Sequence, residues 1–241
     1  MLQFAVVTDK GAREINEDSL SVFKSGENFG CVLCDGLGGH GMGDKASKLV
    51  SEVFSDVFYK TENIKDFLDC AFCAGQEILR SEQKRLNAQN KMKTTAVSMV
   101  TDGNELFIGH IGDSRLYCFS KNKIKMRTLD HSVPQMLALS HDIKESEIRF
   151  HRDRNIVLRV MGIEWENESY ELSKPLPLKK FSAFLLCSDG FWELIEEKKM
   201  CNFLKASGSV DEWLEMMTDE VKRNGNNRNA DNFSAIAVFN V

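Results

Sequence analysis

Apolar and polar residues change rhythm several times along the chain, and each change marks an element. Phe4–Thr8, Leu20–Lys24 and Gly30–Cys34 are short β-like runs separated by charged, glycine-containing segments. Between Lys45 and Tyr59 the rhythm lengthens. Val50, Val53, Phe54, Val57 and Phe58 recur at three- and four-residue steps, which lays them along one face of a helix. Ile64–Leu79 repeats this with Ile64, Phe67, Leu68, Ala71, Phe72 and Ile78. Strand patterns then return in Thr95–Thr101, Leu106–Ile111, Arg115–Phe119 and Lys123–Thr128, and Asp102-Gly103-Asn104 between the first two has hairpin-turn chemistry. Residues 133–160 are polar, charged and weakly helical, the pattern of a surface excursion. Phe184–Cys187 reads as a buried strand, helices are expected at 192–206 and 210–223, and Phe233–Phe239 closes with a strand.

Strands joined by tight turns pair antiparallel, and amphipathic helices must cover the outer faces of the sheets they make. The pattern therefore predicts an α+β fold, a four-layer α-β-β-α sandwich with two central antiparallel sheets flanked by helices. The chain shows no repeat, no low-complexity tract and no Pro/Gly/Ser linker, and its three prolines lie at 134, 175 and 177. At 241 residues a single domain over 1–241 is the expectation.

Composition narrows the function classes. A net charge of −5 with no dense basic run argues against a nucleic-acid groove; Arg149, Arg152, Arg154 and Arg159 are interrupted by Asp153 and apolar residues. No apolar stretch reaches the length of a membrane span, and the first residues lack the basic start and apolar run of a signal peptide. Seven cysteines, an odd number set mostly in apolar segments, point to reduced thiols and a cytoplasmic protein. Two pairs, Cys31-x-x-Cys34 and Cys70-x-x-Cys73, have zinc-knuckle spacing. The first lies in a strand pattern and the second on the helical stripe, so buried free thiols are expected instead.

The chemistry is concentrated in aspartates. Asp18, Asp35, Asp189 and Asp231 each sit just after a strand or at its lip. Any one of them alone reads as a turn residue. Four in the same setting read differently, because a carboxylate beside a buried strand is costly unless paired or bound to a metal. Hard oxygen donors suit Mg²⁺ or Mn²⁺, and such a cluster can hold two ions.

The residues around them carry a resemblance. Thr8-Asp-Lys-Gly11-Ala-Arg13-Glu-Ile-Asn16-Glu-Asp18-Ser19 and Asp35-Gly-Leu-Gly-Gly-His40-Gly-Met-Gly-Asp-Lys-Ala-Ser47 resemble the first two motifs of type 2C metal-dependent protein phosphatases. Gly112-Asp-Ser-Arg-Leu-Tyr117, Asp130-His-Ser132, Ser188-Asp-Gly190 and Asp231-Asn232 follow in the family's order. The resemblance implies a dimetal cleft at one end of the sandwich. It matches Asp18, Asp35, Asp189 and Asp231 to metal ligands, with the Gly36 carbonyl as a further one and Asp35 shared by both ions. It matches Arg13 to the phosphate-binding guanidinium, His40 to a general acid, and Asp113 with Asp189 to a third metal site. Residues 133–160 match a variable flap. The implied activity is hydrolysis of phosphoserine and phosphothreonine in proteins, opposing a cognate serine/threonine kinase, with two Mn²⁺ or Mg²⁺ ions and a third as an option. A monomer acting on phosphoprotein substrates, with no nucleic-acid or membrane partner, completes the expectation. One departure stands out: the family has Gly before its Thr-Thr pair, and here Lys93 precedes Thr94-Thr95.

The chemistry fits these residues without the family name. Phosphomonoester hydrolysis needs a nucleophile in line, charge neutralisation and a proton for the leaving alkoxide. Metal ions bring a water's pKa toward neutrality, a guanidinium grips phosphate bidentately, and a histidine can give the proton. Rival patterns fare worse. Gly36-Leu-Gly38-Gly-His-Gly41 matches GxGxxG, but Asp35 would face the pyrophosphate and the strands that follow read as hairpins. No Cys-x5-Arg loop and no Asn-His-Glu element occur. A non-catalytic module on the same fold should have lost metal ligands, and this sequence keeps them.

Overall fold

The computed structural model describes residues 1–37, 41–165, 167, 169–226 and 230–241. Eleven strands lie among them: β1 (Leu2–Asp9), β2 (Asp18–Ser25), β3 (Asn28–Asp35), β4 (Ala96–Thr101), β5 (Glu105–Ile111), β6 (Arg115–Ser120), β7 (Lys123–Arg127), β8 (Glu171–Leu172), β9 (Leu176–Pro177), β10 (Ala183–Cys187) and β11 (Phe233–Asn240). The helices are α1 (Gly43–Lys60), α2 (Phe67–Leu86), α3 (Val133–Leu139), α4 (Asp189–Trp192), α5 (Glu197–Ala206) and α6 (Val210–Gly225). One sheet runs β1-β11-β10-β6-β7; the other runs β2-β3-β4-β5-β8, with β9 also on β5. Every strand pairing is antiparallel.

Strand β3 shows how the layers arise. Side chains alternate across a strand, so Cys31 and Leu33 enter the core between the sheets. Val32 and Cys34 point the other way, into a second core with Val50, Phe54 and Phe72 of α1 and α2. A third core forms where Leu185 and Cys187 of β10 meet Trp213 and Met217 of α6. Helix, sheet, sheet and helix are thus glued by three apolar interfaces, the predicted sandwich. The alternation also settles Cys31 and Cys34: they lie on opposite faces of one strand and cannot share an ion.

Several expectations need correction. Cys70 and Cys73 are exposed, not buried on the helical stripe; Cys73 Sγ lies 3.4 Å from the Tyr170 hydroxyl. Ile78 is 42% exposed and Leu79 takes the core position. The helix expected at 192–206 is two helices. The Arg149 guanidinium donates to the Trp192 and Ile195 carbonyls at 2.9 and 2.8 Å, so these acceptors are turned away from a continuous helical ladder. The 133–160 excursion is also anchored more firmly than its polarity suggests. Ser132 caps α3 by accepting from the Gln135 amide, Ile148 is buried in the third core, and Arg154 pairs with Glu193 at 3.0 Å. Arg149 and Arg154 of the basic cluster are used in these contacts and Arg159 pairs with Glu171, while Arg152 stays exposed beside Asp153. Strands β8 and β9, two residues each, are too short to have a sequence pattern. Among the described residues no helix is long and apolar enough to cross a membrane.

Phe54 is wholly buried and stacks edge-on against Phe67 and Phe72. Phe54→Ala is expected to cost about 3–5 kcal/mol of unfolding free energy, read from the denaturant midpoint at unchanged slope; a loss below about 1 kcal/mol would show that α1 and α2 close over the gap.

Candidate active site

Two neighbouring strands of each sheet deliver carboxylates to the same end of the sandwich. Asp18 opens β2 and Asp35 closes β3, and the hairpin register sets them directly opposite each other. Asp189 begins α4 just beyond β10, and Asp231 lies two residues before β11. Asp113 sits in the turn between β5 and β6, where Gly112 has φ 105°. Asp35, Asp113, Asp189 and Asp231 line one cleft of 470 Å³ together with Arg13, Gly36, Lys93 and, from the excursion, Asn155 and Val157. Asp18 is buried beneath it, with 8% of its surface exposed. The structure therefore brings Asp18, Asp35, Gly36, Asp113, Asp189, Asp231 and Arg13 to one end of the sandwich. His40 lies outside the described residues.

The backbone beneath these carboxylates is tied down, and only some of their oxygens are used in hydrogen bonds. The Asp35 amide donates to the Thr95 hydroxyl at 3.1 Å, and its carbonyl accepts from the Thr95 amide and the Thr94 hydroxyl, both at 2.8 Å. Gly36 passes so close to its neighbours that a Cβ would lie 2.3 Å from the Gly43 carbonyl and 2.6 Å from that of Glu17; no side chain fits. One Asp18 oxygen accepts from Ser188 at 2.9 Å, and the other is buried with no partner. A buried carboxylate oxygen without a hydrogen-bond partner is rare, and a bound ion or water is the usual way to satisfy it. Arg13 Nη2 donates to Asp231 at 2.8 Å, in a pair where both side chains are about half exposed.

Electrostatics points the same way. Burial, followed by the Asp189 and Asp231 charges among the causes that raise it, pushes Asp18 up to about 7. Burial and then the charges of Asp18, Asp189, Asp113 and Asp231 raise Asp35 well above the usual carboxylate range. Asp113 and Asp189 are raised by burial first, and then by Asp189 and Asp231 respectively. These groups repel one another and Arg13 is the single cation paired with any of the five among the described residues. The donor set, all hard oxygen, fits divalent cations of the Mg²⁺ or Mn²⁺ kind.

Three motif residues without a role in the sequence reading prove to be braces. Asn232 accepts from the Glu17 amide at 2.8 Å and donates to the Lys10 and Ile15 carbonyls, both at 2.9 Å, so it holds the loop that carries Arg13. Asp130 receives two hydrogen bonds from Arg115, at 2.8 and 2.7 Å, in a buried pair whose guanidinium lies 3.4 Å from the centroid of the Trp192 ring. Trp192 in turn donates to the Asp113 carbonyl at 3.0 Å. His131 accepts from the Gly112 amide at 3.1 Å and donates its own amide to the Gly112 carbonyl at 2.9 Å. None of these partners is adjacent in sequence, and only their motif setting could have flagged them.

His131, His110 and Glu171 also bring three ligand atoms within 4.8 Å of one another, which the aspartates do not. The proton inventory rules against a metal there. Donation from Gly112 leaves His131 Nδ1 bare and puts the ring hydrogen on Nε2. Burial and the stacked His110 hold the ring's pKa down to about 4, so it is neutral. Nε2–H faces Glu171 Oε1 at 3.2 Å, off the line of a good hydrogen bond, and offers no lone pair to an ion.

The model of the family described as protein phosphatase 2C matches residues 10–229. The chain belongs to the protein phosphatase 2C family. Within that family it is 30% identical to the serine/threonine phosphatase stp of Listeria welshimeri over 238 residues, which cover 92% of this chain and 90% of that protein. The serine/threonine phosphatase Stp1 from Staphylococcus aureus superposes with a TM-score of 0.91 at 27% identity, over 100% of this chain and 96% of that one. The catalytic domain of the serine/threonine protein phosphatase PstP, solved in complex with two manganese ions, gives a TM-score of 0.82 at 25% identity, over 99% and 97%. Lys93 is not among the residues with positive φ, so its position does not require glycine.

The raised carboxylates make a stability prediction for the cation-free chain. The folded state holds protons that the unfolded chain releases above about pH 4, so the stability from these groups is complete below that pH and is lost as pH rises through about 7, the value for Asp18. The melting temperature in chelator is expected to fall between pH 5 and pH 8, and Mn²⁺ is expected to raise it more at pH 8 than at pH 5. A chelated chain that melts at the same temperature across this range would contradict the repulsion.

Proposed function

We propose that this chain hydrolyses phosphoserine and phosphothreonine in proteins, with two divalent cations, Mn²⁺ or Mg²⁺, held by Asp18, Asp35, the Gly36 carbonyl, Asp189 and Asp231. The observation that carries the reading is the unpartnered, buried oxygen of Asp18 beneath a ring of mutually repelling carboxylates. The printed names of the relatives, serine/threonine phosphatases, support the substrate class, and the two manganese ions of the PstP structure support the cofactors. Bound there, the cations supply neutralisation of the phosphate charge and a water acidified toward neutral pH.

The chain's own residues do the rest. Asp35, at the centre of the cluster and fixed through Thr94 and Thr95, is the ligand we assign to both ions. Arg13 spends one nitrogen on Asp231, which leaves further N–H donors of its planar fork for phosphate oxygens. Asp113, with Asp189, is proposed to hold a third ion. His40 is proposed to protonate the leaving alkoxide. Residues 133–160, which contribute Asn155 and Val157 to the cleft, serve as the flap that meets the substrate. The site needs nothing from a second copy, so we read the protein as a single-domain monomer. Seven free thiols suit the cytoplasm, and the esters it removes require a serine/threonine kinase to make them.

Asp35→Asn keeps the shape and removes the charge. It is expected to abolish calorimetric Mn²⁺ binding, to lower kcat on a phosphopeptide about 10³-fold, the equivalent of several kcal/mol, and to raise the melting temperature in chelator because a repulsion is gone. Wild-type Mn²⁺ affinity in this variant would sink the assignment.

His40 is tested by the leaving group. A phosphoserine peptide expels a basic alkoxide, whereas nitrophenyl phosphate expels a stable phenolate that departs without help. His40→Ala should lose about 10²–10⁴-fold in kcat on the peptide and far less on the aryl ester, at unchanged metal content. Equal losses would assign His40 to positioning instead.

A further inference from the structure

Lys93 is a cation that the chemistry above does not use. Its carbonyl accepts from the Leu37 amide at 3.0 Å, and the next two residues supply the hydroxyls that fix Asp35. The backbone is therefore held at the lip of the sheet that carries β3 and β4. Arg13 enters the same cleft from the other sheet, beside the start of β11. The lysines that pair with acids are Lys48, Lys65, Lys199 and Lys222. Among the described residues Lys93 has no such partner, although the cleft it lines contains five carboxylates. Its ammonium thus stands beyond ion-pair distance from the metal-binding set. The cleft also has neutral lining residues, among them Asn90, Asn155 and Val157. Lys93 is partly buried and, among the described residues, pairs with no acid, so its ammonium is available to an anion that a substrate brings into the cleft.

We propose that Lys93 is a specificity-determining residue that pairs with an anionic side chain, a carboxylate or a second phosphate, next to the phosphorylated residue. The protein then prefers acidic phosphopeptides. This rests on the phosphatase reading above. The backbone at Lys93 does not demand glycine, so a long side chain is tolerated beside the cleft it lines.

The test is a ratio. Phosphothreonine peptides flanked on both sides by Glu, Gln, Lys or phosphoserine are compared at fixed Mn²⁺, for the wild type and for Lys93→Gln, Lys93→Arg and Lys93→Glu. The wild type is expected to favour the Glu over the Gln peptide roughly fivefold in kcat/KM, the upper range for a partly exposed ion pair. The difference should sit in KM and shrink with salt. Lys93→Arg should keep the preference, Lys93→Gln should bring it toward one, and Lys93→Glu should favour the Lys peptide. A phosphoserine flank that outperforms Glu identifies the second phosphate as the better partner; equality identifies simple carboxylate recognition. A wild-type ratio of one, or a ratio that survives in Lys93→Gln, overturns the proposal. Metal-dependent hydrolysis of nitrophenyl phosphate by the wild type, measured alongside, reports on the phosphatase reading separately, because that substrate has no flanks.

Discussion

Like charges crowded out of water at the junction of two sheets organise this molecule. Asp18 and Asp113 are almost fully buried, Asp35 and Asp189 are half-buried, and each is pushed toward its protonated form by burial and by its neighbours. A sandwich held by three apolar cores can tolerate such a cluster at its end, where the strands stop and the interior opens. We read the cluster as a site that cations complete, with the stability given up by the apo protein becoming affinity for them.

Rigid support follows from that need. Carboxylates that repel one another spread apart unless the backbone beneath them is fixed. Here Thr94 and Thr95 fix Asp35, Ser188 fixes Asp18, and Trp192 and His131 fix the turn that carries Asp113. The buried Arg115–Asp130 pair belongs to this support. Its partners are matched by two hydrogen bonds and by the Trp192 face, and removing either would strand a charge at a cost of about 3–5 kcal/mol. Asn232 does the same for the Arg13 loop with neutral hydrogen bonds.

Much of this could be read in the sequence, and the reasons for the rest are physical. Period-two and helical patterns locate the nine longer strands and the long helices because both record which side of an element meets an apolar core. The strand-end aspartates stand out because acids are costly at such places. The break between Trp192 and Glu197 was invisible, since it depends on Arg149, a residue more than 40 positions away in the chain. Cys70 and Cys73 misled because a helix stripe is about 100° wide and its edge cannot be placed from spacing alone. The braces His131, Trp192 and Asn232 act through contacts between distant segments, which no local pattern encodes. Strands β8 and β9 pair because β5 offers an edge, not because their own residues prefer to be strands.

Whether cations complete the carboxylate cluster is decided by anomalous diffraction at the manganese edge, from crystals grown with Mn²⁺. Two peaks are expected in the cleft, within reach of Asp18, Asp35, Asp189 and Asp231, and none at His110, His131 and Glu171. An empty cleft at saturating Mn²⁺, or a peak on the histidine pair instead, would contradict this expectation.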